Sequence, residues 1–98
     1  EYVEMFWDSM KRYYAELGAE REALLQIFEY LLELCNAYQG ERVYMLLDDE
    51  IGKGFDDDVH MRSENCSKYS GKIEKVLLPG IWNKRSERAN RKALVEWQ

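Results

Sequence analysis

The one histidine of the chain, His60, follows three consecutive aspartates, Asp56, Asp57 and Asp58, and precedes Ser63 and Cys66. Two kinds of chemistry draw on such a set. Carboxylates beside an imidazole are metal ligands, and an imidazole near a hydroxyl or thiol is half of a nucleophilic pair. Neither pattern is completed. An EF-hand loop needs alternating early acids, a glycine at its turn and a closing glutamate. The registers starting at Asp48 and at Asp56 both fail that test. Zinc needs about four Cys or His ligands in paired spacing, whereas this chain has two cysteines, Cys35 and Cys66, and one histidine, far apart. Nucleophilic catalysis needs an orienting group and an oxyanion site, and no signature for either is found. The run IGKGF at 51–55 has the glycines and lysine of a phosphate loop. It lacks the Gly-Lys-Ser/Thr ending and a preceding strand, so it reads as a linker. The expectation is a protein without catalytic residues, metal or cofactor.

Charge supplies the remaining chemistry. The net formal charge is −5, but residues 1–58 hold fifteen acids and five bases, while residues 59–98 hold four acids and nine bases. Near the end, Lys84, Arg88 and Arg91 recur at helical spacing, flanked by Arg85 and Lys92, with Trp82 and Trp97 at either side. Arg with exposed aromatics is characteristic of protein interfaces. The same stripe on a helix could meet phosphates while a tryptophan stacks on a base. Nucleic-acid binders usually carry a basic balance, and this chain is acidic. The stripe also suits a simpler role, neutralising the acids at 48–50 and 56–58. A helix-turn-helix across 51–55 would lead into the groove with Asp56 to Asp58, which phosphates repel.

The elements that would position these residues read as helices. Over residues 20–38, the apolar positions Leu24, Leu25, Ile27, Phe28, Leu31, Leu32, Leu34, Cys35 and Tyr38 cover roughly 240° of the helix at 100° per residue. Glu22, Gln26, Glu29, Glu33 and Asn36 share the remaining arc. An ordinary surface helix has an apolar face of ~100° or slightly more, so this one is expected to be central and covered on two or three sides. Residues 1–17 form a second amphipathic pattern, with Val3, Phe6, Trp7, Met10, Tyr14 and Leu17 on one face. Gly18 and Gly40 suit left-handed helix ends. The short connection around Gly18 makes the two helices antiparallel neighbours.

Further on, residues 41–50 read as a short third helix, although Asp48, Asp49 and Glu50 oppose the dipole at its end. Residues 57–69 read as a fourth helix capped by Asp56, and 83–97 as a closing one. Pro79-Gly80 is a turn signal, around which residues 73–82 offer a small β-hairpin as an optional addition. The fold expected is an all-α bundle of four to five helices around residues 20–38, in a single domain over 1–98. The first residue, Glu1, and the ending at 95–98 suggest a segment excised from a longer protein.

With no membrane-length apolar run, no secretory leader and two cysteines, the chain is expected to be intracellular, cytoplasmic or nuclear. The function expected is a non-catalytic interaction module or small regulator that binds a protein partner. Its candidate contacts are Trp82, Lys84, Arg85, Arg88, Arg91, Lys92 and Trp97. Nucleic-acid binding through the closing helix is the alternative. Homo-oligomerisation through surplus apolar surface on the first two helices is a third reading.

Overall fold

The computed structural model describes residues 2–13, 16, 18–64, 66 and 71–98. It corrects the all-α expectation. Among the described residues there are two helices, α1 (Tyr2–Tyr13) and α2 (Glu20–Gln39). Six strands follow: β1 (Tyr44–Leu47), β2 (His60–Arg62), β3 (Lys75–Leu78), β4 (Gly80–Asn83), β5 (Arg88–Arg91) and β6 (Ala93–Glu96). They form two three-stranded sheets, ordered β1-β4-β5 and β2-β6-β3, so the fold is α+β.

Both helices obey local rules. Gly40 closes α2 in the left-handed conformation, at φ 78°, with its N–H on Ala37 O. Phe6 stacks on Phe28 with ring centroids 6.5 Å apart, and Trp7 donates its Nε1–H to Pro79 O at 2.7 Å. Val3, Trp7 and Met10 of α1 join Phe28 and Leu32 of α2 over Val43, Tyr44, Leu78, Ile81 and Leu94. That layer of helix on sheet is the main core. A second cluster, Ile73, Ala93, Val95 and Trp97, lies under β6 with Phe55, Leu47, Cys66 and Val76 against it.

The remaining expected helices are strands. The third became β1, because Val43 and Tyr44 face the core and β1 pairs antiparallel with β4 from Tyr44↔Asn83 to Leu47↔Gly80. A helix this short has little stability of its own, so tertiary pairing decides its state. The fourth is a turn followed by β2, which runs parallel to β6. Asp56 is not a helix cap: its Oδ1 accepts the Asp58 N–H at 3.0 Å, and its carbonyl accepts from Val59 and His60. The parts of this expectation at 65 and 67–69 lie outside the described residues, as do Glu1, Tyr14, Ala15 and Leu17 of the expected first helix.

The closing helix is β5, a corner at Lys92, and β6. Pairings run from Asn83↔Arg88 through Ile81↔Arg91 in one sheet to Leu78↔Leu94 and Lys75↔Glu96 in the other. The segments 75–83 and 88–96 are therefore one long hairpin, bent so that its base and its tip belong to different sheets. Pro79-Gly80 marks the bend, not the turn expected there. The turn lies at 84–87, where Asn83 Oδ1 accepts the Arg85 and Ser86 N–H groups and Glu87 takes φ 53°. Proline has no N–H for a ladder, and Gly80 lets the bend pass close to the opposite corner. A Cβ on Gly80 would stand 2.4 Å from Arg91 O.

Candidate functional site

Every basic residue singled out in the sequence lies in or beside the bent hairpin, but not on a helical face. Lys84 and Arg85 belong to the turn, Arg88 and Arg91 to β5, and half-buried Lys92 to the corner. The Arg85 guanidinium lies against Glu41 Oε1, with Nε–H donating at 2.9 Å, and reaches Gln39 Oε1 at 3.4 Å. That of Arg91 makes a two-pronged contact with Asp8, from Nε at 2.8 Å and Nη2 at 3.0 Å, and lies 3.5 Å from Glu4. Hydrogen bonding from Arg91 holds the Asp8 carboxyl below its ordinary pKa, and Asp8 raises that of Arg91 in return. Arg91 thus ties β5 to α1, and Arg85 ties the hairpin turn to Glu41 just past α2 and to Gln39 at its end. Trp82 is half-buried in β4, and Trp97 is 1% exposed, its ring in the second core cluster.

The structure joins His60 to a partner the sequence did not suggest. Its Nδ1 accepts the backbone N–H of Asp56 at 2.9 Å, and its Nε2 lies 3.1 Å from Glu50 Oε1. A backbone N–H can only donate, so Nδ1 carries the lone pair and Nε2 carries the proton given to Glu50. Lys53 Nζ meets the other oxygen of that carboxylate, and this contact raises the pKa of Lys53. Glu50 and His60 are 4% and 2% exposed. Phe55 covers the imidazole at 5.9 Å and touches Trp97 at 5.4 Å. With both ring nitrogens engaged, His60 ties the 48–58 loop to β2. Ser63 Oγ donates to Glu96 Oε1 at 3.2 Å. Among the described residues, no three His, Cys, Asp or Glu side chains converge to hold a metal ion.

The other prominent feature lies on the opposite layer. α2 is not central: α1 and β1 pack against it, and Ile27, Tyr30, Leu34 and Tyr38 face outward. Ile27 and Leu34 are each 47% exposed, Tyr30 62% and Tyr38 93%. On α1, Tyr2 and Met5 are also exposed, at 83% and 65%. Between the helices lies an open groove of ≈ 740 Å³, its floor and walls formed by Val3, Met5, Leu31, Leu34, Cys35 and Tyr38. The start of α1 thereby meets the end of α2, so the two helices are antiparallel as expected. Neither Cys35 nor Cys66 is in a disulfide.

From the sequence, the α2 residues of this groove, Leu31, Leu34, Cys35 and Tyr38, are expected on a helix covered on two or three sides. The signal for an open face was present all the same, in an apolar arc too wide for one neighbouring layer to cover. No helix among the described residues is long and apolar enough to cross a membrane. The chain matches no protein-family model, no curated protein and no solved structure.

Proposed function

We propose that this protein is a non-catalytic interaction module that binds a protein partner through the outer face of α1 and α2. One observation carries the reading: the apolar groove between the helices, continued by Ile27, Tyr30, Leu34 and Tyr38. Contiguous exposed apolar surface of this kind marks interaction sites on folded proteins. Within this proposal the protein works inside the cell, in cytoplasm or nucleus, where Cys35 in the groove wall stays a reduced thiol. The nucleic-acid alternative has less support, because Arg85 and Arg91 are already engaged by carboxylates.

The test compares two surface variants with the wild type in affinity capture. Leu34→Glu with Tyr38→Glu alters the helical face, and Lys84→Glu with Arg88→Glu alters the hairpin. A partner retained by the second variant and lost by the first supports the proposal. Capture unaffected by the first variant would rule it out. Oligonucleotides that quench the tryptophan signal in a salt-sensitive way would move the protein to the nucleic-acid reading.

A further inference from the structure

The outer edge of β1 lies between two cavities. The Val43 carbonyl accepts the Lys84 N–H, and backbone groups alternate along an antiparallel strand. Val43, Met45 and Leu47 therefore turn theirs toward β4, whereas Tyr44 and Leu46 turn theirs outward. Asn36 holds those of Tyr44. Those of Leu46 stand on the edge of a sheet ordered β1-β4-β5 and meet no partner among the described residues. An open strand edge accepts an extended segment as a further strand.

The side chains of such a segment would point alternately to the two faces of the sheet, and each face offers a cavity. On the helix side, ≈ 290 Å³ lie between α2 and the end of β1, lined by Glu22, Leu25, Glu29, Leu46, Asp48 and Pro79. On the other face, ≈ 340 Å³ lie over the cross-strand pair Met45 and Trp82, with Asp48 and Asp49 also in the wall. Lys53 lines this second cavity too, but its charge is paired with Glu50.

Charge complementarity names the occupant. Glu22, Glu29 and Asn36 recur at intervals of seven and so share one side of α2. It is the side that Asn36 fixes against β1. Glu22, Glu29, Asp48 and Asp49 are exposed and make no ion pair among the described residues. Carboxylates around an apolar floor suit Lys and Arg, whose stems pack on Leu25, Leu46 or Met45 while the charged ends meet the acids. The ring of Trp82 offers a further attraction for a cation. A second copy of the chain is a poor occupant, because two-fold pairing sets the same patch of each copy against the other. The acids of both would then meet at one interface.

We infer that the β1 edge receives an extended, basic segment of a protein partner as an added strand, with Lys or Arg side chains entering the cavities on its two faces. This surface shares no lining residue with the helical groove, and the inference does not depend on the role of that groove.

The test uses fluorescent peptides of about ten residues in which Thr and Val favour the extended state. One carries Lys at its central positions, and a second carries Glu there. A third is the Lys peptide with its central amide nitrogens methylated, which keeps the charge and removes the strand donors. Anisotropy against the full chain should show the Lys peptide binding roughly tenfold tighter than either control. Its margin over the Glu peptide should shrink with salt, and hydrogen exchange at the Leu46 amide should slow when it is bound. Glu29→Lys with Asp48→Lys changes only exposed side chains and should abolish the preference for Lys while leaving the melting temperature unchanged. Undiminished binding of the methylated peptide would reduce the contact to charge and overturn strand addition. Equal binding of the Lys and Glu peptides, or no binding of the Lys peptide at low salt, overturns the inference as a whole. A concentration-dependent dimer in which the Leu46 amide becomes protected would assign the edge to a second copy and also overturn it.

Discussion

Asn36 of α2 binds both backbone polar groups of Tyr44: Oδ1 accepts its N–H and Nδ2 donates to its carbonyl, each at 2.8 Å. The same Oδ1 accepts the Val43 N–H at 2.9 Å. An asparagine in the last turn of α2, itself 7% exposed, thus supplies the edge pairing that begins β1. Sequence periodicity places Asn36 among the solvated glutamates of α2, so its burial is a correction. Asparagine is a mediocre helix former, and its presence here is explained by the strand it holds.

Removing that clamp should be costly. Each buried backbone group left unpaired costs about 1–3 kcal/mol, so Asn36→Leu is expected to lower unfolding stability by about 2–4 kcal/mol in urea. Asn36→Asp should not rescue it at neutral pH, because a carboxylate oxygen would then face the Tyr44 carbonyl. Full stability in Asn36→Asp would refute the role of the Nδ2 donor.

The loop of residues 48–58 depends on Glu50 and His60. His60→Ala opens a hole under Phe55, removes the acceptor for the Asp56 N–H and leaves Glu50 with Lys53 alone. A loss of about 2–4 kcal/mol is expected, with faster amide exchange at Asp56. Glu50→Gln retains an oxygen for the His60 Nε2–H and gives up only the ion pair with a mostly exposed lysine, so it should cost distinctly less. Equal losses in the two variants would contradict the assigned tautomer.

Gly80 tests the bend. Its missing Cβ would lie within 2.4–2.8 Å of Arg91 O, Ala93 N and Lys92 C, all backbone atoms that cannot rotate away. Gly80→Ala should destabilise by about 1–3 kcal/mol through overpacking, and chemical-shift changes should reach both sheets. An Ala variant with wild-type stability would mean that the corners are not in close approach.

Asp8 and Arg91 predict a response to acid. Hydrogen bonding from Arg91 lowers the pKa of Asp8 from its ordinary 3.8, so the folded state binds its proton more weakly than the unfolded chain does. The stabilisation is therefore present above about pH 4 and is lost as pH falls through the depressed value. The Asp8 side chain is 49% exposed, and solvent screening keeps the effect below about 1 kcal/mol. Denaturation curves from pH 5 to acid (about two units lower) should show a shallower fall for Asp8→Asn than for wild type. Identical slopes would argue that the pair contributes nothing.

The sequence by itself determined the two helices, their antiparallel order and the stop at Gly40, because helix periodicity and capping depend on neighbours within a few residues. It also contained the excess of apolar surface on α2, though not the side left open. Tertiary structure alone decided the strands. Three or four residues are too few to separate a period of two from one of 3.6, and the partners of 44–47 and 60–62 lie at 80–83 and 93–95. The union of Glu50 with His60 and of Asp8 with Arg91 follows from that pairing. The expected basic helix surface vanished for the same reason: once 83–97 pairs as strands, the spacing of Lys84, Arg88 and Arg91 no longer defines one face.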